Sequence, residues 1–216
     1  MTFDDCNLVV LLPLQGRPTF AFSPGSLLVR TGWHLINKQK RSILNGGEKM
    51  DQKELIVLLN KSWMSHDGMW FMHCCREFGI EAGNRLNKAA ISSLAPLEIA
   101  RYKKELGFDD QEINTFDQFK AFFTRAAELV IPDVMGGRFA FEDGHSLSME
   151  MTPQQCFAYK GMQRMGVIDQ YECGVIYRIE CWLDALGIKF QTDPDVTHCT
   201  MHTEGHCVKR IRLSFD

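Results

Sequence analysis

The chain has 216 residues, 45% of them hydrophobic and 24% charged, with a net charge of −3. That composition belongs to a globular protein able to bury a full core without metal or disulfide staples. It lacks the basic footprint of a nucleic-acid binder, and no apolar run approaches the ~20 residues that span a bilayer. Eight cysteines in a chain with no convincing export signal read as thiols and place the protein in the cytoplasm. The early run Leu8–Leu14 follows Asp4 and Asp5 and contains Pro13, which makes it a poor secretory signal.

Residues 1–49 carry +3 and residues 50–216 carry −6. The first segment holds Pro13, Pro18 and Pro24 and shows no sustained period. One reading is a basic binding arm. The other starts from Gly46-Gly47-Glu48-Lys49, directly before Met50. Its codons have the purine-rich form of a bacterial ribosome-binding site translated in frame. On that reading Met50 is the true start and 1–49 is a non-native or disordered leader. Residues 50–216 then form a single domain, with a helical part at 50–131 and a hairpin-and-helix part at 132–216.

Asp51–Phe78 reads as one long helix ending at Gly79, Ile80–Ser92 as a second, and Pro96–Leu106 as a third stopped by Gly107. Thr115-x-x-Gln118 is a capping box that opens a fourth helix, ended by Pro132. The period then becomes 2. Phe139 and Phe141 alternate with small or polar residues, as do Leu147, Met149 and Met151. A three-residue loop, Glu142-Asp143-Gly144, puts both sets on one sheet face, whereas a two-residue Asp-Gly turn puts them on opposite faces. Thr152-Pro153-x-Gln155 starts a helix ended by Gly166, and Asp169-x-x-Glu172 one ended by Gly187. A second hairpin pairs Val196–His202 with His206–Phe215 around Thr203-Glu204-Gly205. The expected fold is α+β: a helical N-terminal half packed on an antiparallel sheet of two hairpins, with two helices between them.

At 100° per residue Ile56, Trp63, Asp67, Trp70, Cys74 and Phe78 fall on one stripe, which sets Asp67 in an apolar, aromatic face. A carboxylate there is either a general base or ligand anchor in a pocket wall, or an ion-pair partner, for Arg101 or Arg125. Val175, Ile179, Trp182 and Leu186 make the packing stripe of a later helix, with Cys173, Tyr177, Glu180 and Asp184 opposite. A solvated face accounts for the acids but less readily for a cysteine, whereas a second pocket wall accounts for both. His198-Cys199-x-x-His202-x-x-x-His206-Cys207 has zinc-like spacing. Strand alternation, however, sends Cys199 and Cys207 to one face and His202 and His206 to the other. No phosphate loop, dinucleotide glycine motif, serine elbow or His-Glu-x-x-His is present.

Leu59-Asn60-Lys61-Ser62-Trp63 with Asp67-Gly68-Met69-Trp70-Phe71, then Glu98-Ile99-Ala100-Arg101, Gln155-Cys156, Tyr171-Glu172-Cys173-Gly174 and Gly205-His206-Cys207, taken in order, resemble an uncharacterised bacterial and archaeal family of cytosolic proteins similar to L-2-amino-thiazoline-4-carboxylic acid hydrolase. The last segment also resembles the end of a vinyl-reductase-like ligand-binding domain. The resemblance covers about residues 51–216. It implies a thiol-rich pocket for a small organic molecule, in which Cys156, Cys173 and Cys207 match cysteine positions and Asp67 and Trp70 match the first-helix motif.

The leading expectation is a hydrolase-like protein that opens a cyclic C–N/C–S ring. Asp67 is then general base or amine anchor, Cys173 nucleophile, and His202 or His206 an acid–base partner. Trp63, Trp70, Cys156 and Tyr177 bind the substrate. The alternative is a vinyl-reductase-like module that senses a small apolar ligand or binds a divalent metal such as zinc through Cys199, His202, His206 and Cys207. The expected partner is a small molecule, with neither nucleic acid nor membrane. A homodimer is compatible with the sequence.

Overall fold

The computed structural model describes residues 50–216 apart from positions 196 and 216, so the expected leader at 1–49 lies outside the described residues. Helix α1 is Gln52–Phe78, and Glu54 Oε2 accepts from the Asp51 N–H at its start. Gly79, with φ of 85°, turns the chain directly into α2, Ile80–Leu106. Helix α2 folds back along α1 so closely that a Cβ on Gly83 would overlap Cys75 Sγ.

The expected break between Ser92 and Pro96 is absent, and α2 runs through Pro96. A proline inside a helix costs about 3 kcal/mol, partly through the carbonyl it leaves unbonded. Here Pro96 and Ser92 both lie on the solvent side, where water reaches that carbonyl, while Ala95, Glu98 and Ile99 bury on the other face. Packing keeps the helix whole.

Helix α3, Phe116–Val130, is capped as expected, with Thr115 Oγ1 accepting from the Gln118 N–H. Its Phe119 and Phe123 meet Phe139, Phe141 and Phe215 across the sheet, with ring centroids 5.1–6.4 Å apart. Four strands, β1 (Gly137–Glu142), β2 (Ser146–Met151), β3 (Lys189–Asp193) and β4 (Cys207–Ser214), form one antiparallel sheet in the order β1-β2-β4-β3. Helices fill the first half and the sheet the second, so the α+β expectation holds.

Phe139 pairs with Met149 and Phe141 with Leu147, on one face as read from the sequence. The loop itself sits one residue further along, at Asp143-Gly144-His145. Asp143 and Gly144 both take positive φ (55° and 66°), the signature of a tight Asp-Gly turn. His145 is the extra residue that restores face parity, and its carbonyl accepts from the Leu213 N–H of β4.

Three expected boundaries are corrected. Helix α4 is Phe157–Met165 and begins after a turn at 153–155, not at Thr152. The Thr152 N–H donates to the Gly136 carbonyl, and Gln154 has φ of 58°, so this segment closes over Gly136 instead of coiling. Helix α5 is Gly174–Ala185 and starts five residues after Asp169. Residues 171–173 are held extended: the Cys173 N–H donates to the Thr197 carbonyl, and the Glu172 N–H to Asn84 Oδ1. The strand that pairs with β4 on the edge away from β2 is β3, not Val196–His202. Thr200–Thr203 is instead a short helix, α6, in which the Thr203 N–H donates to the Cys199 carbonyl.

Candidate functional site: an apolar cavity and a thiol cluster

A cavity of about 340 Å3 lies between α1, α2, α5 and the helix-covered face of the sheet. Leu59, Trp63 and Asp67 enter from α1, Ile91 and Glu98 from α2, Phe139, Met149 and Met151 from the sheet, and Val175, Arg178 and Trp182 from α5. Two close approaches build it. Gly174, at the start of α5, sits where a Cβ would lie 2.8 Å from Asn87 Nδ2 and 3.2 Å from Ile91 Cδ1. The buried Asn84 donates to the Gln170 carbonyl at 2.8 Å and so ties α2 to the segment before α5.

The polar end of the cavity is organised by Glu98, only 8% exposed. Its carboxylate accepts from Arg178 Nη2, from Trp182 Nε1 at 2.9 Å and from the Tyr102 hydroxyl at 3.2 Å. Three donors, one of them charged, make this buried carboxylate tolerable. Burial, with the Glu98 charge alongside, pushes the Tyr102 phenol well above its usual range, so it stays a donor. The Arg178 guanidinium also lies over the Trp63 ring, 4.6 Å from its centroid.

Asp67 lines this cavity from its rim, but its side chain is exposed, because the expected stripe is not the buried face of α1. The face turned inward centres on Phe71, with Met64, Gly68 and Cys75 beside it. Loss of water on the cavity side pushes the Asp67 carboxyl up from its ordinary value, while the Arg178 and His66 charges pull it back. The cation beside Asp67 is thus Arg178, not Arg101 or Arg125 as the ion-pair reading expects. Trp63 lines the cavity, whereas Trp70 is 63% exposed and does not. Tyr177 stands outside it, its ring 5.4 Å from Lys88 Nζ.

Cys173 is not in this cavity. It lines a second, much smaller one of about 20 Å3 with Cys156, Cys199 and Cys207. Met151, Ala158, Tyr171 and Val175 form the common wall between the two cavities. Burial pushes Cys173 up to about 12 and also raises Cys156 and Cys199, so these thiols are protonated at neutral pH. The histidines point elsewhere. His202 Nε2 lies 2.7 Å from the exposed Asp169, and His206 lies beside Glu204 at the surface.

The Cys199–His202–His206–Cys207 metal set therefore does not assemble. Its cysteines turn inward and its histidines outward, and among the described residues no group of three or more His, Cys, Asp or Glu is arranged to hold a metal ion. A zinc ion does not fit these side chains as they stand.

Sequence reasoning missed the Glu98–Arg178–Tyr102–Trp182 set. The available signal was a charge at the edge of an apolar stripe: Glu98 beside Ile99, and Arg178 four residues before Trp182. A family model described as a family of unknown function (DUF6125) matches residues 47–131, a stretch that ends with α3 and includes Glu98 and Tyr102 but not Arg178 or Trp182. No curated protein and no solved structure matches the chain.

Proposed function

We infer that this protein is a binding module for a small, mainly apolar molecule carrying one hydrogen-bond-accepting group. The cavity carries this reading. Its volume of about 340 Å3 suits a compact organic ligand, and its lining is mainly apolar, with Glu98, Tyr102 and Arg178 grouped at one end and Asn60, Asp67 and Asn87 the other polar side chains. Arg178 provides the recognition there. A guanidinium has five N–H donors and no acceptor, and among the described residues only Nη2 has a hydrogen-bond partner, Glu98. The Glu98 bond and the Trp63 ring fix its plane, so its remaining donors can meet a ligand carbonyl, carboxylate or hydroxyl at little entropic cost.

The hydrolase-like reading has less support. Its nucleophile, Cys173, lies across a wall of side chains from Asp67, with a thiol that titrates near 12. A nucleophilic cysteine needs thiolate at working pH and a base within hydrogen-bond reach.

The test is a thermal-shift screen of small monocarboxylic acids, ketones, alcohols and amines, followed by NMR of the recovered ligand. Stabilisation by acceptor-bearing apolar compounds, recovered unchanged and lost in Met64→Trp, supports the binding module. Turnover of a cyclic amidine that is lost in Cys173→Ala returns the hydrolase.

A further inference from the structure

Helix α1 is apolar on both sides. One side packs on the domain through Phe71, while the opposite side leaves Leu55, Leu58, Met69 and Trp70, with Leu59 at the cavity mouth on its edge, between 44% and 63% exposed. A helix with apolar residues all round is normally a covered helix. Together these five side chains present on the order of 500 Å2 of apolar surface, the size at which a patch marks an interaction site.

We propose that a second copy of this chain covers the outer face of α1, as an antiparallel two-fold helix pair. The pattern is self-complementary about a point between Ser62 and His66. A two-fold axis there sets the Leu58–Leu59 step against the partner copy's Met69–Trp70 step, with the small Ser62 level with His66. A two-fold interface requires this matching of one patch to itself. The antiparallel sense also opposes the two helix dipoles, whereas a parallel pair would align them and stack Trp70 on Trp70. The helix is about 40 Å long. With its flanking polar residues the face approaches the ~800 Å2 per partner of a standard stable interface.

The experiment is sedimentation velocity on the full chain across a hundredfold concentration range. The expected species has twice the 24.7 kDa chain mass. The Met69→Glu/Trp70→Glu double variant should sediment as a monomer with unchanged far-UV circular dichroism. Because both side chains are already in water, that variant has no reason to misfold; if it does, Trp70→Ser alone serves. A mixture of Ser62→Cys and His66→Cys chains should cross-link to each other in preference to Ser62→Cys with itself. A monomer at all concentrations, or a dimer that survives the double variant, overturns the proposal.

Discussion

The Glu98 carboxylate gathers its donors from Tyr102, Arg178 and Trp182, the last two on a helix some 80 residues away in sequence. Removing it strands a guanidinium and an indole N–H in a mostly dry site. Glu98→Ala is expected to cost roughly 3–5 kcal/mol of stability, the penalty of breaking a buried pair. Glu98→Gln keeps an acceptor for Trp182 and should cost about 1.5–3 kcal/mol, the worth of a hydrogen bond to a charged group. Urea denaturation with an unchanged m-value checks both. Cys173 gives a pH prediction. Its folded value of about 12 lies above the ordinary 9.0, so the folded chain keeps a proton that the unfolded chain has already lost. Below pH 9 this group leaves stability level, and from pH 9 towards 12 it lowers stability. Urea midpoints at pH 8, 9.5 and 10.5 should therefore fall more steeply in the wild type than in Cys173→Ala. Alkylation of Cys173 should remain slow at pH 8.

At the level of elements, the cavity exists because α5 begins hard against α2. Gly174 is buried, its N–H donates to the Tyr171 hydroxyl at 3.0 Å, and it has no room for a side chain. Gly174→Ala must push α5 away from Asn87 and Ile91. The expected cost is about 1–3 kcal/mol, the usual penalty for overpacking. The same displacement widens the cavity, so ligand affinity should fall along with the thermal midpoint. Gly161, half-buried in α4, has open space within 4 Å of where a methyl group would sit and serves as the control. Gly161→Ala should leave the midpoint level or raise it slightly, since alanine is the better helix former.

For the whole molecule, ligand binding and folding are linked. A compound at a hundred times its dissociation constant should add ~2.7 kcal/mol to stability. For a folded part of this size that corresponds to a rise of roughly 5–10 °C in the melting midpoint. Met64→Trp fills the cavity away from the close α2–α5 contact and should abolish this rise while leaving the unliganded protein folded, which calorimetry would show directly. Among the described residues no helix is long and apolar enough to cross a membrane.

Local chemistry was legible from the residues alone. The end of α1 at Gly79, the cap at Thr115, and the shared face of Phe139, Phe141, Leu147 and Met149 depend on backbone freedom, nearby hydrogen bonds and strand alternation, all of which act within a few residues. The buried face of α1 was not legible, because a helix apolar on every side has no preferred orientation until α2 packs against Phe71 and Cys75. The strand expected at Val196–His202 failed for a related reason. The stretch 190–193 competes for the same edge of β4, and once it takes that edge the Cys199–Thr203 stretch closes a helical turn instead. That turn still leaves Cys199 inward and His202 outside, the same division of faces that strand alternation leads one to expect. The Glu98–Arg178 pair depends wholly on three-dimensional packing. Two opposite charges far apart in the chain read as surface residues until folding removes their water and leaves each as the other's partner.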